Sequence, residues 1–105
     1  MKEVTPIELK KMMDSKEDFV LIDVREEHET EICSIGGTLI PMGSVMERLA
    51  EFPKDKKVVV HCRSGARSGT VIQALEQKMG YTNLYNLKGG ILAYSDQVDP
   101  SLMKY

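Results

Sequence analysis

Two short apolar runs limit what this chain can fold into: Phe19 to Val24 (FVLIDV) and Lys57 to His61 (KVVVH). Both are rich in β-branched residues and too short for buried helices, so each reads as a strand with both faces in the interior. Such strands need cover on both sides. Segments of helical spacing lie between and after them. Alternating strands and helices predict a parallel sheet with helices on both faces. At 105 residues the chain fits one domain, 1–105, with a single core.

The remaining elements follow from local signals. Thr5-Pro6-Ile7-Glu8 starts a helix through a capping box and a proline suited to the first turn. Ile7, Leu9, Met12 and Met13 are its expected apolar face. Residues 26–31 (EEHETE) read as a short polar helix, with His28 solvated. The stretch GGTLIPM gives a turn and a brief strand that Pro41 stops. Ser44-Val45-Met46-Glu47 repeats the capping-box pattern and predicts a short helix to about Leu49. From Ala66 to about Lys78, Val71, Ile72, Leu75 and Met79 share one helical face, and Gly80 is a natural stop. Leu84 to Leu87 forms the last strand, Gly89-Gly90 a turn, and Ile91 to about Val98 the last helix.

Composition narrows the partners. A net charge of −2 lacks the basic excess expected of a nucleic-acid or anionic-membrane binder. No run is long and apolar enough to span a bilayer, and the first residues, MKEVTPIELKK, lack a signal-peptide apolar region. The expected location is the cytoplasm. The two cysteines, Cys33 and Cys62, are then expected as free thiols. No C-x-x-C pair or His/Cys cluster is present, so no structural zinc is expected and no cofactor is implied. Of the seven methionines, Met12, Met13 and Met79 read as core filler, while Met42, Met46 and Met103 are candidates for an exposed surface.

The chemistry concentrates after Val60, in Cys62-Arg63-Ser64-Gly65-Ala66-Arg67-Ser68. This stretch leaves a strand and enters a helix, and in parallel sheets ligands bind beyond the carboxyl ends of strands. Ser64, Gly65, Ala66 and Ser68 are small enough for the backbone to curl with several N–H groups pointing inward. Such a nest at a helix N-terminus favours negative charge. A thiol at its centre should ionise readily, and the thiolate is the nucleophile. Arg63 and Arg67 add positive charge and can bind oxyanions through paired hydrogen bonds. His61, one residue earlier, points to the opposite face of its strand and reads as structural.

The loop resembles the active-site loop of single-domain rhodaneses. LIDVREEHE (21–29), the G-x-x-x-x-P-x-G stretch from Gly36 to Gly43 and LKGGILAYSDQVDPSL (87–102) resemble other segments of that family, in the same order. The last is similar to rhodanese domains fused behind adenylyltransferases that activate sulfur-carrier proteins. The resemblance implies an α/β rhodanese-like fold with a mostly parallel sheet of about five strands. It implies sulfane-sulfur transfer in which Cys62 takes sulfur from thiosulfate or a persulfide and passes it to a thiol, cyanide or a protein acceptor. Arg63 and Arg67 would then bind a small anionic donor, and Ser64, Gly65, Ala66 and Ser68 would form the cradle. Asp23 and Arg25 match the family's D-x-R signature and would support the site. A sulfur-donor or sulfur-carrier protein is the implied macromolecular partner.

There are departures. The family often has histidine where Ser34 stands, glycine or alanine at Cys33, and tryptophan at Tyr94. Cys33 reads as a small buried side chain, with a resolving thiol as the alternative. Two other functions stay open. A non-catalytic or partner-dependent binding module would use the same fold. A cysteine-dependent phosphatase or arsenate reductase would need the C-x-x-x-x-x-R pattern, in which the arginine falls where this chain has Ser68.

Overall fold

The computed structural model describes residues 1–105. Its sheet has five strands, β1 (Glu3–Val4), β2 (Phe19–Asp23), β3 (Thr38–Leu39), β4 (Lys57–His61) and β5 (Leu84–Leu87), in the order β1-β5-β4-β2-β3. Every neighbouring pair is parallel. Four helices accompany them: α1 (Pro6–Asp14), α2 (Glu27–Ile32), α3 (Ala66–Met79) and α4 (Gly90–Gln97). No helix is long and apolar enough to cross a membrane.

Central β4 explains the two-layer cover. Val58 and Val60 face a cluster with Ile72 and Leu75 of α3, whereas Val59 faces Leu9 and Met12 of α1 and Tyr94 of α4. Period-two alternation along one apolar strand thus supplies the apolar cluster on each face of the one sheet. Register then places the site. β2 and β4 run level from Phe19 opposite Lys57 to Asp23 opposite His61. Their carboxyl ends therefore present Arg25 and Cys62 at one edge of the sheet.

Three local expectations change. The Thr5 capping box forms, but Ile7 is 52% exposed, and Pro6, Leu9 and Met12 make the buried face of α1. No α-helix begins at Ser44. Residues Met42–Glu51 form a 3-10 stretch kinked at Arg48, with no side-chain cap. The reason is Pro41, whose carbonyl takes the Ser44 N–H at 2.7 Å and tightens the turn to the shorter repeat. Arg48 leaves helical geometry to reach the Leu39 carbonyl at 3.0 Å and Glu51. Strand β1 was not expected from sequence; it is held by β5, where Asn86 and Lys88 donate to the Lys2 and Val4 carbonyls.

The methionines divide. Met12 is buried, and Met13 and Met79 pack half-buried against the two clusters. Met46 and Met103 are exposed, while Met42 is half-buried.

Candidate active site

Cys62 follows β4 directly, and α3 begins four residues later. Between them the chain turns through Gly65 at φ 104°, a left-handed conformation that disfavours any side chain. That turn aims the Gly65 N–H at Cys62 Sγ, 3.1 Å away, and the Ser68 N–H reaches the same atom at 3.4 Å. The Ser68 hydroxyl oxygen also lies 3.4 Å from Sγ. Of the four small residues, Gly65 and Ser68 direct their N–H groups at the sulfur, and the thiol sits beneath them with Cys62 only 1% exposed.

The electrostatics of the thiol are a contest. Burial opposes ionisation. Main-chain hydrogen bonds from Ser68, Gly65 and Ser64 favour it, as does the Ser68 hydroxyl whenever its hydrogen faces the sulfur, and together these outweigh burial. The thiol consequently titrates below its ordinary value.

A neighbouring turn closes the loop from behind. The Cys62 and Arg63 carbonyls accept the Ile91 and Leu92 N–H groups at 3.0 and 3.2 Å. This approach needs Gly90. A Cβ there would lie 2.3 Å from the Arg63 carbonyl oxygen, and φ is 64°.

The two loop arginines differ. Arg67 pairs with both oxygens of Glu29, at 2.7 and 2.8 Å, so its charge is compensated. Arg63 is exposed, pairs with no carboxylate and lies over the Tyr105 ring, 4.9 Å from its centroid. The Tyr105 hydroxyl donates to Glu29 at 2.6 Å and accepts from Arg25 at 3.1 Å.

Asp23 and Arg25 form a buried pair. Arg25 is 0% exposed, and its Nε and Nη2 reach the Asp23 carboxylate at 3.0 and 2.8 Å. Nη2 also donates to the Cys33 carbonyl at 2.9 Å, and Nη1 donates to the Glu29 carbonyl at 3.4 Å. The pair thus braces α2 and its exit, and its link to the thiol loop runs through Glu29 to Arg67. Cys33 is a buried free thiol whose Sγ lies 3.8 Å from Arg25 Nη1. His61 is fully buried beside Asp23, and neither ring nitrogen makes a hydrogen bond within the protein. Burial first, and then Arg25, lower its pKa against the pull of Asp23, so it is neutral at pH 7. His28 is exposed, as expected.

Three residues of this constellation carry no signal that identifies them alone: Glu29, Asn86 and Tyr105. Glu29 lies inside the segment 21–29 but reads as one acid among several. Asn86 is the polar member of LYNL; its side chain binds both Ser68 and Gly65.

Glu29 gives a test of the network. Its bond to Arg67 is the main cause that holds its carboxyl far below the usual range, with Tyr105 and the Glu26 backbone adding to it against burial. A depressed carboxylate stabilises the fold above its unfolded pKa, near 4.5, and that contribution is lost as pH falls through the folded value. Wild-type Tm should therefore decline on acidification below about pH 4.5. Glu29→Gln should start from a lower Tm at pH 7 and decline less over the same acid range. Parallel Tm curves would contradict the pairing.

The family model for the rhodanese-like domain matches residues 5–97. A protein named sulfurtransferase from Allochromatium vinosum is 38% identical over 94 residues, covering 89% of this chain and 87% of its own length. A probable adenylyltransferase/sulfurtransferase, MoeZ, from Mycobacterium tuberculosis is 37% identical over 105 residues, covering 97% of this chain but 26% of that protein. The chain thus spans about a quarter of that relative. Among solved structures, a rhodanese-like domain protein from Staphylococcus aureus superposes with TM-score 0.81 at 29% identity, over 100% of this chain and 99% of that one. A level parallel sheet, a thiol under inward-facing amides and a match across nearly the whole chain lead to one assignment: this chain belongs to the rhodanese-like domain family.

Proposed function

We propose that the protein is a sulfurtransferase that carries sulfane sulfur on Cys62. The observation that carries this reading is the pair of main-chain N–H groups converging on one buried sulfur. With thiosulfate, the Cys62 thiolate attacks the outer sulfur. A new S–S bond forms, the donor's S–S bond breaks, and sulfite leaves with the electron pair. The outer sulfur of the resulting persulfide is then attacked by a thiolate or cyanide. The Cys62 S–S bond breaks and its electron pair restores the thiolate. A protein acceptor uses the same second step, as relatives fused to adenylyltransferase segments suggest.

The arginines divide the work in this reading. Arg67 is compensated by Glu29 and holds the loop to α2. Arg63, without a carboxylate partner, attracts the anionic donor. A floor this buried suits the slender end of thiosulfate or a persulfide rather than a phosphoryl group. Ser68 also stands where the phosphatase pattern requires arginine.

Steady-state kinetics with thiosulfate and cyanide test the scheme. Two separate half-reactions predict parallel double-reciprocal lines, and intersecting lines would count against a covalent carrier. Arg63→Ala should raise the KM for thiosulfate about tenfold, equivalent to about 1.4 kcal/mol, with a smaller effect on kcat. An unchanged KM would remove Arg63 from donor binding.

A further inference from the structure

The Ser68 hydroxyl has one hydrogen and two neighbours able to accept it. Asn86 Oδ1 is 2.6 Å from Ser68 Oγ, and Cys62 Sγ is 3.4 Å away. The orientation of Asn86 settles where that hydrogen lies. Its Nδ2 is 3.1 Å from the Gly65 carbonyl and 3.8 Å from Met1 Sδ, and neither of these can donate. The amide oxygen must therefore face Ser68. An amide oxygen also cannot donate, so Ser68 donates to it. Ser68 Oγ is left with only lone pairs toward the sulfur, and the contact is a hydrogen bond only when the thiol donates. A directed chain results, from Cys62 S–H to Ser68 O–H to Asn86, and from Asn86 N–H to the Gly65 carbonyl.

This chain supports the protonated thiol, whereas the Gly65 and Ser68 N–H groups support the thiolate. Any help from the hydroxyl to the thiolate requires its hydrogen to leave Asn86. We propose that Asn86 is a positioning residue that holds the Ser68 hydrogen away from the sulfur and thereby limits how readily Cys62 ionises. The cradle itself does not need Asn86, because the Gly65 carbonyl also accepts the Gly69 N–H at 3.0 Å. Apart from the carboxylate that Asn86→Asp introduces, the charged groups around the thiol are the same in every variant below. They are Arg63, Arg67 with Glu29 on α2, and Asp23 with Arg25 beyond β2, while neutral His61 lies on the other sheet face. The consequence for catalysis rests on the sulfur-transfer reading, but the hydrogen-bond directions do not.

The test is titration of the Cys62 thiolate by its ultraviolet absorbance, taken as the difference between each protein and the same protein carrying Cys62→Ala. Asn86→Leu frees the hydroxyl to turn to the sulfur and should lower the midpoint by about one pH unit. Asn86→Asp keeps an acceptor for Ser68, adds negative charge and should raise it. Ser68→Ala should move the midpoint no higher than wild type, and Asn86→Leu should add no fall in that background. A midpoint that stays or rises in Asn86→Leu overturns the proposal. So does a rise of about one unit in Ser68→Ala, since the hydroxyl would then already serve the thiolate. Ser68→Ala decides the matter even if the Asn86 variants fail to fold. No sulfur donor enters the experiment, so failed sulfur loading of the wild type would leave this pattern standing.

Discussion

Cys62→Ala should lower sulfur transfer from thiosulfate more than about a thousandfold, while the protein stays folded. The remaining cradle still gathers positive charge and N–H groups, but the atom that attacks and carries is gone. No other thiol is placed to replace it. Cys33 lies under Arg25 at the exit of α2, and no loop N–H group is directed at its sulfur. Cys33→Ala should accordingly retain transfer. Stability should change little in Cys62→Ala, because the side chain loses only one buried sulfur atom. A variant that unfolds would make loss of activity uninformative, so Tm is measured beside the rate. Comparable rates in wild type and Cys62→Ala would instead favour a non-catalytic binding module.

Arg25→Met should be the most damaging substitution for stability. It leaves the Asp23 carboxylate buried with no guanidinium, and it also strips donors from the Cys33 and Glu29 carbonyls. Breaking a buried pair from one side costs about 3–5 kcal/mol. At about 4–8 °C per kcal/mol for a chain of this size, Tm should fall by more than about 10 °C. Denaturation in urea, read as a lower midpoint at constant slope, is the direct measurement. Asp23→Leu added to Arg25→Met should recover part of the loss, since it removes the stranded charge. A loss below about 1 kcal/mol would mean that the pair behaves like a surface ion pair.

What could be read in the sequence follows the range of the interactions involved. Strand β4 and helix α3 were legible almost to the residue, because Val58-Val59-Val60 and the Val71, Ile72, Leu75 spacing carry their own periodicity. Where two local signals compete, the reading failed. Ser44 and Glu47 spell a helix start, but Pro41 and the outward reach of Arg48 impose a kinked 3-10 path. Strand β1 has only two residues and exists through its pairing with β5.

The same distinction applies to the site. The cradle was legible because Cys62 to Ser68 are consecutive. The groups that orient it come from elsewhere in the chain: Glu29 meets Arg67 across 38 residues, Asn86 meets Ser68 across 18, and Tyr105 meets Glu29 across 76. No local spacing encodes these meetings. They also alter what the consecutive residues can do, since Arg67, apparently equal to Arg63 in the sequence, is compensated by a carboxylate in the fold.

The most direct measurement is the intact mass of the wild-type protein after incubation with thiosulfate, followed by peptide mapping. Covalent carriage predicts a gain of about 32 Da, one sulfur, located on Cys62 and removed by a thiol reductant. An unchanged mass with thiosulfate and with a small persulfide alike, or an added sulfur found on Cys33 instead, would contradict it.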